Sequence, residues 1–210
     1  MRCTILGLTF FATVGCTAAQ LQTSENTVCI RPGERNAMLA LDVKSFDQTQ
    51  GQGWRLVAER ECYAEAAQLI AEYRAQSDNP NVARFHQVQM HAAAEERDEA
   101  ITLLDELIAG DEADEESTGL YYRRATRAFL ANDLENLQVA RNDLATLPVP
   151  SSFADAVERF KREYPDFPPP RWPPNLDVID AFIACFNQSY NEAYGGEACR
   201  NAGEASAYGN

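Results

Sequence analysis

The sequence predicts an all-α protein in which short antiparallel helices follow one another in pairs. Three observations carry this expectation. Apolar residues recur at three- and four-residue intervals from residue 34 to residue 193, short polar, glycine or proline breaks interrupt them, and no segment alternates apolar with polar residues as a strand does.

Residues 20–32 are polar and aperiodic and end at Pro32-Gly33, so residues 20–33 read as an irregular arm. Leu39, Val43 and Phe46 then share a helical interval over residues 34–47, before a Gln- and Gly-rich break at 48–53. Trp54 and Leu56 open a short helix, and from Cys62 onward Ala66, Leu69, Ile70 and Tyr73 lie on one face of the next. Asp78-Asn79-Pro80 stops it. Residues 81–95 pair with 97–109, where Ala100, Leu103, Leu104, Leu107 and Ile108 form the apolar stripe, and Gly110 closes the unit. An acidic loop at 111–116 leads to helices at 117–131 and 133–146, turned at Asn132-Asp133 and ended by Leu147-Pro148-Val149-Pro150. Ser152 with Asp155 reads as a capping box opening a helix with Phe153, Val157 and Phe160, which Pro165 ends, so the helical-hairpin domain covers 34–164.

Six prolines around Phe167 and Trp172 make residues 165–174 a stiff connector packed on the last helix. That helix starts near Asn175 with Val178, Phe182, Cys185, Phe186, Ser189 and Ala193 on one side, giving a C-terminal helical segment over 175–199 and a polar tail over 200–210.

Residues 1–19 read as a secretory signal: Arg2 precedes an apolar run from Ile5 to Val14 and small residues at Gly15, Thr17, Ala18 and Ala19. The run is too short to span a bilayer. Two processing routes remain open, cleavage that leaves Gln20 first, and acylation of Cys16 within Thr13-Val14-Gly15-Cys16, similar to a relaxed bacterial lipoprotein box that would give a lipid anchor.

The formal net charge is −14, with 32 acidic against 18 basic residues. Such a field repels phosphate backbones and anionic headgroups, which argues against nucleic acid as a partner and against electrostatic membrane binding. Cys29, Cys62, Cys185 and Cys199 lie beyond the signal, an even number in a chain bound for an oxidising compartment. A turn at Gly195-Gly196 brings Cys199 back toward Cys185, so these two are expected to pair, and Cys29 with Cys62 by elimination. No CxxC clamp marks a zinc site, and no sequence feature calls for a metal or cofactor.

Ala66, Ala100 and Leu137 hold the same place early in the second helix of successive pairs, 34 and 37 residues apart. Phe85, Val88 and Ala92 precede Ala100, Leu104 and Leu107, and Tyr121, Ala125 and Ala128 precede Leu137, Leu144 and Pro148. Over roughly residues 52–147 this resembles the tetratricopeptide repeat, departing from it at Gln89 and Leu137, where smaller residues are usual, and in a truncated first helix near Trp54. The remainder resembles exported bacterial helical proteins that carry a Gly-Trp-Arg stretch, here Gly53-Trp54-Arg55, and a helix ending Tyr-Asn-Glu-Ala-Tyr, here residues 190–194.

The repeat resemblance implies a non-catalytic protein-protein interaction module of the envelope whose first-helix face holds a protein or peptide partner. By position it nominates Phe85, Gln89, Tyr122, Arg123, Thr126 and Phe129. Arg123 and Arg127, one turn apart, are placed to grip a carboxylate, or to pair with the acids at 111–116. His86 and His91 lie on different faces and outside any HExxH pattern, and read as ordinary surface or packing residues. For catalysis, Glu116-Ser117 is similar to the Glu-Ser pair of lytic transglycosylases but lacks the glycine-rich continuation, which leaves a cell-wall glycosidase as the enzymatic alternative. A structural helical domain without a groove is the third reading.

Overall fold

The computed structural model describes residues 28–79, 81–111 and 117–209, so the expected signal, Cys16 and Glu116 lie outside the described residues. Among these, all regular structure is helical: α1 Glu34–Leu39, a π-helical turn Lys44–Gln48, α2 Gly53–Ala58, α3 Tyr63–Gln76, α4 Arg84–Ala93, α5 Arg97–Asp111, α6 Thr118–Leu130, α7 Leu134–Thr146, α8 Phe153–Glu163, α9 Leu176–Ala184, α10 Tyr190–Gly195 and α11 Glu197–Tyr208. No described helix is long and apolar enough to cross a membrane.

Three connections repeat one turn. Glu61, Glu95 and Asn132 adopt left-handed backbone after α2, α4 and α6, at spacings of 34 and 37 residues. In each, the next residue's N–H reaches back five positions: Cys62 to Val57 at 3.3 Å, Glu96 to His91 at 2.9 Å and Asp133 to Ala128 at 2.9 Å. This Schellman pattern satisfies the last carbonyls of one helix while reversing the chain into the next. Asp133 also caps α7, its side chain accepting from Asn136 N at 3.0 Å. Five residues after each turn, Ala66, Ala100 and Leu137 are fully buried.

Each helix from α3 to α6 packs on its successor, and two apolar clusters result. One joins Met38, Phe46, Trp54, Val57, Leu69, Ile70 and Tyr73, and the other runs from Val88 through Leu104, Phe129, Leu137 and Leu144 into Ile179, Phe182 and Tyr190. Fully burying each of these large side chains stabilises the fold by about 1.5–3 kcal/mol.

The disulfides are Cys29–Cys62 and Cys185–Cys199, the expected pairing, and they fit an oxidising compartment. In three places the helices differ from expectation. The single helix over 34–47 breaks after Leu39, because the Asp42 side chain accepts from Lys44 N at 3.0 Å and Ser45 N at 3.1 Å and starts a new turn. The helix from Asn175 ends at Ala184, and a fresh one starts where Ser189 accepts from Glu192 N at 3.2 Å. The tail expected over 200–210 is largely helical, forming α11 on α9. Gly203 permits that packing, because a Cβ there would lie 2.2 Å from the Asp177 carbonyl oxygen.

The proline connector packs on α11, in the segment expected to be a polar tail, Tyr208 donating to Pro173 O at 3.1 Å, while Trp172 donates to Leu147 O at 3.1 Å. Ser152 makes no side-chain cap, so the expected capping box is absent, and Pro150 instead accepts from Phe153 N at 2.9 Å.

Candidate functional site

The π-helical turn Lys44–Gln48 organises one corner of the molecule. It holds Asp47 buried, at 6% exposure, with one side-chain oxygen 2.6 Å from His86 Nδ1 and 3.0 Å from Trp54 Nε1. The second oxygen accepts from Gln48, and the Asp47 carbonyl accepts from Arg55 Nε at 2.7 Å. One residue therefore fixes three side chains from two helices. Burial works to raise the Asp47 carboxyl, but the hydrogen bonds and charge at His86, with those from Trp54 and Gln48, outweigh it and hold the group below the ordinary carboxylate range. An ionised Asp47 accepts the His86 Nδ1 proton and leaves Nε2 as the ring's remaining polar atom.

Gly53 makes this corner possible. Its φ is +52°, and a Cβ would sit 2.1 Å from the Phe46 carbonyl oxygen, so only glycine lets α2 begin directly against the turn. Phe46 in turn stacks on Tyr73 at 3.7 Å, and Tyr73 donates to Leu41 O at 2.8 Å.

Trp54, Arg55 and His86 face a cavity of about 540 Å³ together with Tyr63, Gln89 and Met90, and its far side is α10, through Tyr190, Asn191 and Tyr194. The Arg55 guanidinium lies 4.5 Å from the Trp54 ring centre, and the His86 ring centre is 5.0 Å from it. Tyr190 and Tyr194 stack at 5.5 Å, and Asn191 donates to Ala93 O at 3.1 Å, tying α10 to α4. Burial pushes the Tyr190 phenol far above its ordinary value, so it stays neutral, and its hydroxyl is buried beside Gln89 without a well-formed hydrogen bond.

A disulfide adjoins each side. Cys62 precedes Tyr63 directly, and Cys185 and Cys199 bracket α10. Cys29, Cys62 and Glu65 bring their ligand atoms within 4.8 Å of one another, but both sulfurs are committed to the disulfide, and a single carboxylate does not hold a metal ion.

The residues nominated from the repeat resemblance do not form an open groove. Tyr122, Thr126 and Phe129 are buried. Thr126 donates to Tyr122 O at 2.8 Å, and Phe129 packs against Phe182 at 4.7 Å, Phe186 at 6.1 Å and Tyr190 at 6.5 Å. Helices α9 and α10 thus cover the face of α6 that was expected to meet a partner. Phe85 is half-buried against Tyr122 at 5.4 Å. Arg127 is ion-paired with Asp105 of α5 and shares a separate cavity of about 320 Å³ with Arg124, whereas residues 112–116 of the acidic loop lie outside the described residues. Arg123, half-buried one turn earlier, is not part of that cavity's lining. Of the seven nominated residues, Gln89 alone lines the cavity between Trp54 and Tyr194.

Asp47, Trp54, Arg55, His86, Tyr190 and Tyr194 were not nominated as site residues. Four of the six belong to the Gly53-Trp54-Arg55 and 190–194 segments that stood out in the sequence, and the fold brings those segments to opposite sides of one cavity. No family model matches the chain, and neither a curated protein nor a solved structure matches it.

Proposed function

We propose that the protein is a non-catalytic interaction module of the bacterial envelope, a tetratricopeptide-like helical scaffold that holds a segment of a protein partner in the cavity between α2, α4 and α10. The repeated turn at Glu61, Glu95 and Asn132 supports the scaffold, because it recurs at the spacing of buried Ala66, Ala100 and Leu137. The C-terminal helices take the place on α6 that a bound peptide has in the resemblance, so binding moves to the corner they leave open.

The observation that carries this reading is the composition of the cavity's surface. It joins four aromatic side chains with Arg55, His86, Gln89 and Asn191. Aromatic anchors with a few convergent polar groups are the makeup of a recognition pocket. A photo-cross-linking residue at position 89, introduced into the full chain in its own envelope, tests it. The expected result is one dominant adduct with an exported protein, reduced by Tyr194→Ala; an unadducted protein in that setting contradicts the reading.

A further inference from the structure

The cavity is chemically unlike the rest of the molecule. The chain carries 32 acidic and 18 basic residues, yet the cavity lining includes Arg55 and His86 and no carboxylate. Asp47 stands behind the lining and is already engaged by His86, Trp54 and Gln48. Among the described residues Arg55 forms no salt bridge; its Nε is spent on the Asp47 carbonyl, and its terminal amino groups are left for another acceptor. Arg55 and His86 both flank Trp54, so two cationic or ionisable donors and a large apolar ring share one place.

We infer that the cavity is a carboxylate receptor, and that its occupant is the free C-terminus of a peptide ending in an aromatic or large aliphatic residue. This rests on the binding reading above and names its ligand. The Arg55 amino groups donate to the terminal carboxylate, and the His86 ring, held by Asp47 through Nδ1, lies beside them at Trp54. The last side chain packs among Trp54, Tyr63 and Tyr194, and Gln89 and Asn191 are placed for the peptide backbone. Charge complementarity favours this occupant over a basic segment: the outer surface of the molecule is where a basic partner would find acids, and the cavity offers it none.

The probes are N-acetyl-phenylalanine and its primary amide, which differ in charge and little in shape. The readout is the indole N–H resonance of Trp54 in the intact oxidised protein, with Trp172, bonded to Leu147 O at 3.1 Å outside the cavity, as internal control. The acid is expected to shift the Trp54 resonance saturably and to bind roughly tenfold more tightly than the amide, a difference of about 1.4 kcal/mol. Arg55→Gln should bring the acid to the level of the amide, and Arg55→Lys should restore part of the difference. Equal binding of acid and amide overturns the carboxylate assignment and leaves a cavity for uncharged segments. A Trp54 resonance unmoved by either probe at millimolar concentration also overturns it, and the binding reading then stands or falls separately on the position-89 adduct.

Discussion

His86 Nδ1 and the Asp47 carboxylate meet at 2.6 Å across 39 residues of sequence, joining the π-helical turn Lys44–Gln48 to the first turn of α4. The pair sets the orientation of the His86 ring at the wall of the cavity.

Replacing Asp47 should therefore cost both stability and shape. Asp47→Ala leaves the Trp54 indole N–H buried without its acceptor and frees His86, and each orphaned buried donor costs about 1–3 kcal/mol. Urea unfolding should show a loss of roughly 3 kcal/mol, and the Trp54 indole resonance should move toward the position of a solvated indole. A variant as stable as the parent would mean that Asp47 organises nothing.

The glycines near this corner make a controlled pair. At Gly53 an alanine meets both a left-handed φ and the Phe46 carbonyl at 2.1 Å, whereas at Gly51 the φ is +71° and nothing lies within 4 Å of the added carbon. Gly51→Ala should cost about 1–2 kcal/mol from backbone strain alone. Gly53→Ala should cost more than that and should also abolish the Trp54 shift on ligand addition, both measurable on the same purified samples.

The disulfides should separate in their effects. In the chain-entropy description, closing 14 residues between Cys185 and Cys199 stabilises by about 3 kcal/mol, and closing 33 between Cys29 and Cys62 by about 4 kcal/mol. Because Cys185 and Cys199 bracket α10, replacing that pair with serine should weaken ligand binding at temperatures where the protein remains folded. Replacing Cys29 and Cys62 should lower the melting temperature more. Calorimetry with and without the acetylated amino acid checks both.

Acid should loosen the N-terminal arm before the core. The hydrogen bond from Arg60, with that from the Arg31 amide, holds the Glu34 carboxyl at about 2, against an ordinary value of 4.5. Arg60 also donates to the Cys29 carbonyl at 2.7 Å, so the same contact pins the arm. A depressed carboxylate contributes stability that is present above pH 4.5 and lost as pH falls toward 2. Glu34→Gln should flatten the stability profile in that window, and hydrogen exchange at residues 28–33 should rise there in the parent.

Much of the architecture was legible because helical periodicity is a local property. The stripe of Ala100, Leu103, Leu104 and Leu107 announces α5, and the turn at Asn132-Asp133 announces the break before α7. Cysteine parity and the Gly195-Gly196 break sufficed for the disulfides. Helix interruptions driven by one polar side chain, Asp42 or Ser189, were carried by signals as faint as a single capping residue.

The site was less legible, for a physical reason. Tyr122, Thr126 and Phe129 have the residue types of a binding face, and what decides that they are core is the return of α9 across α6, with Tyr190 of α10 beside Phe129, a contact between distant segments. His86 reads as an ordinary packing residue until Asp47 is placed beside it, and Asp47 lay next to a stretch that reads only as a helix break. Segments 53–55 and 190–194 were conspicuous as words, but their common cavity is a tertiary fact.

The most direct test of the central claim is the adduct formed from position 89 compared with that from position 139, where Val139 is half exposed on α7 beside the other cavity. The account predicts that position 89 captures one exported protein through the end of its chain, that position 139 does not, and that Arg55→Gln removes the capture. The same adduct from both positions, or one from position 89 that ignores Arg55 and Tyr194, would contradict it.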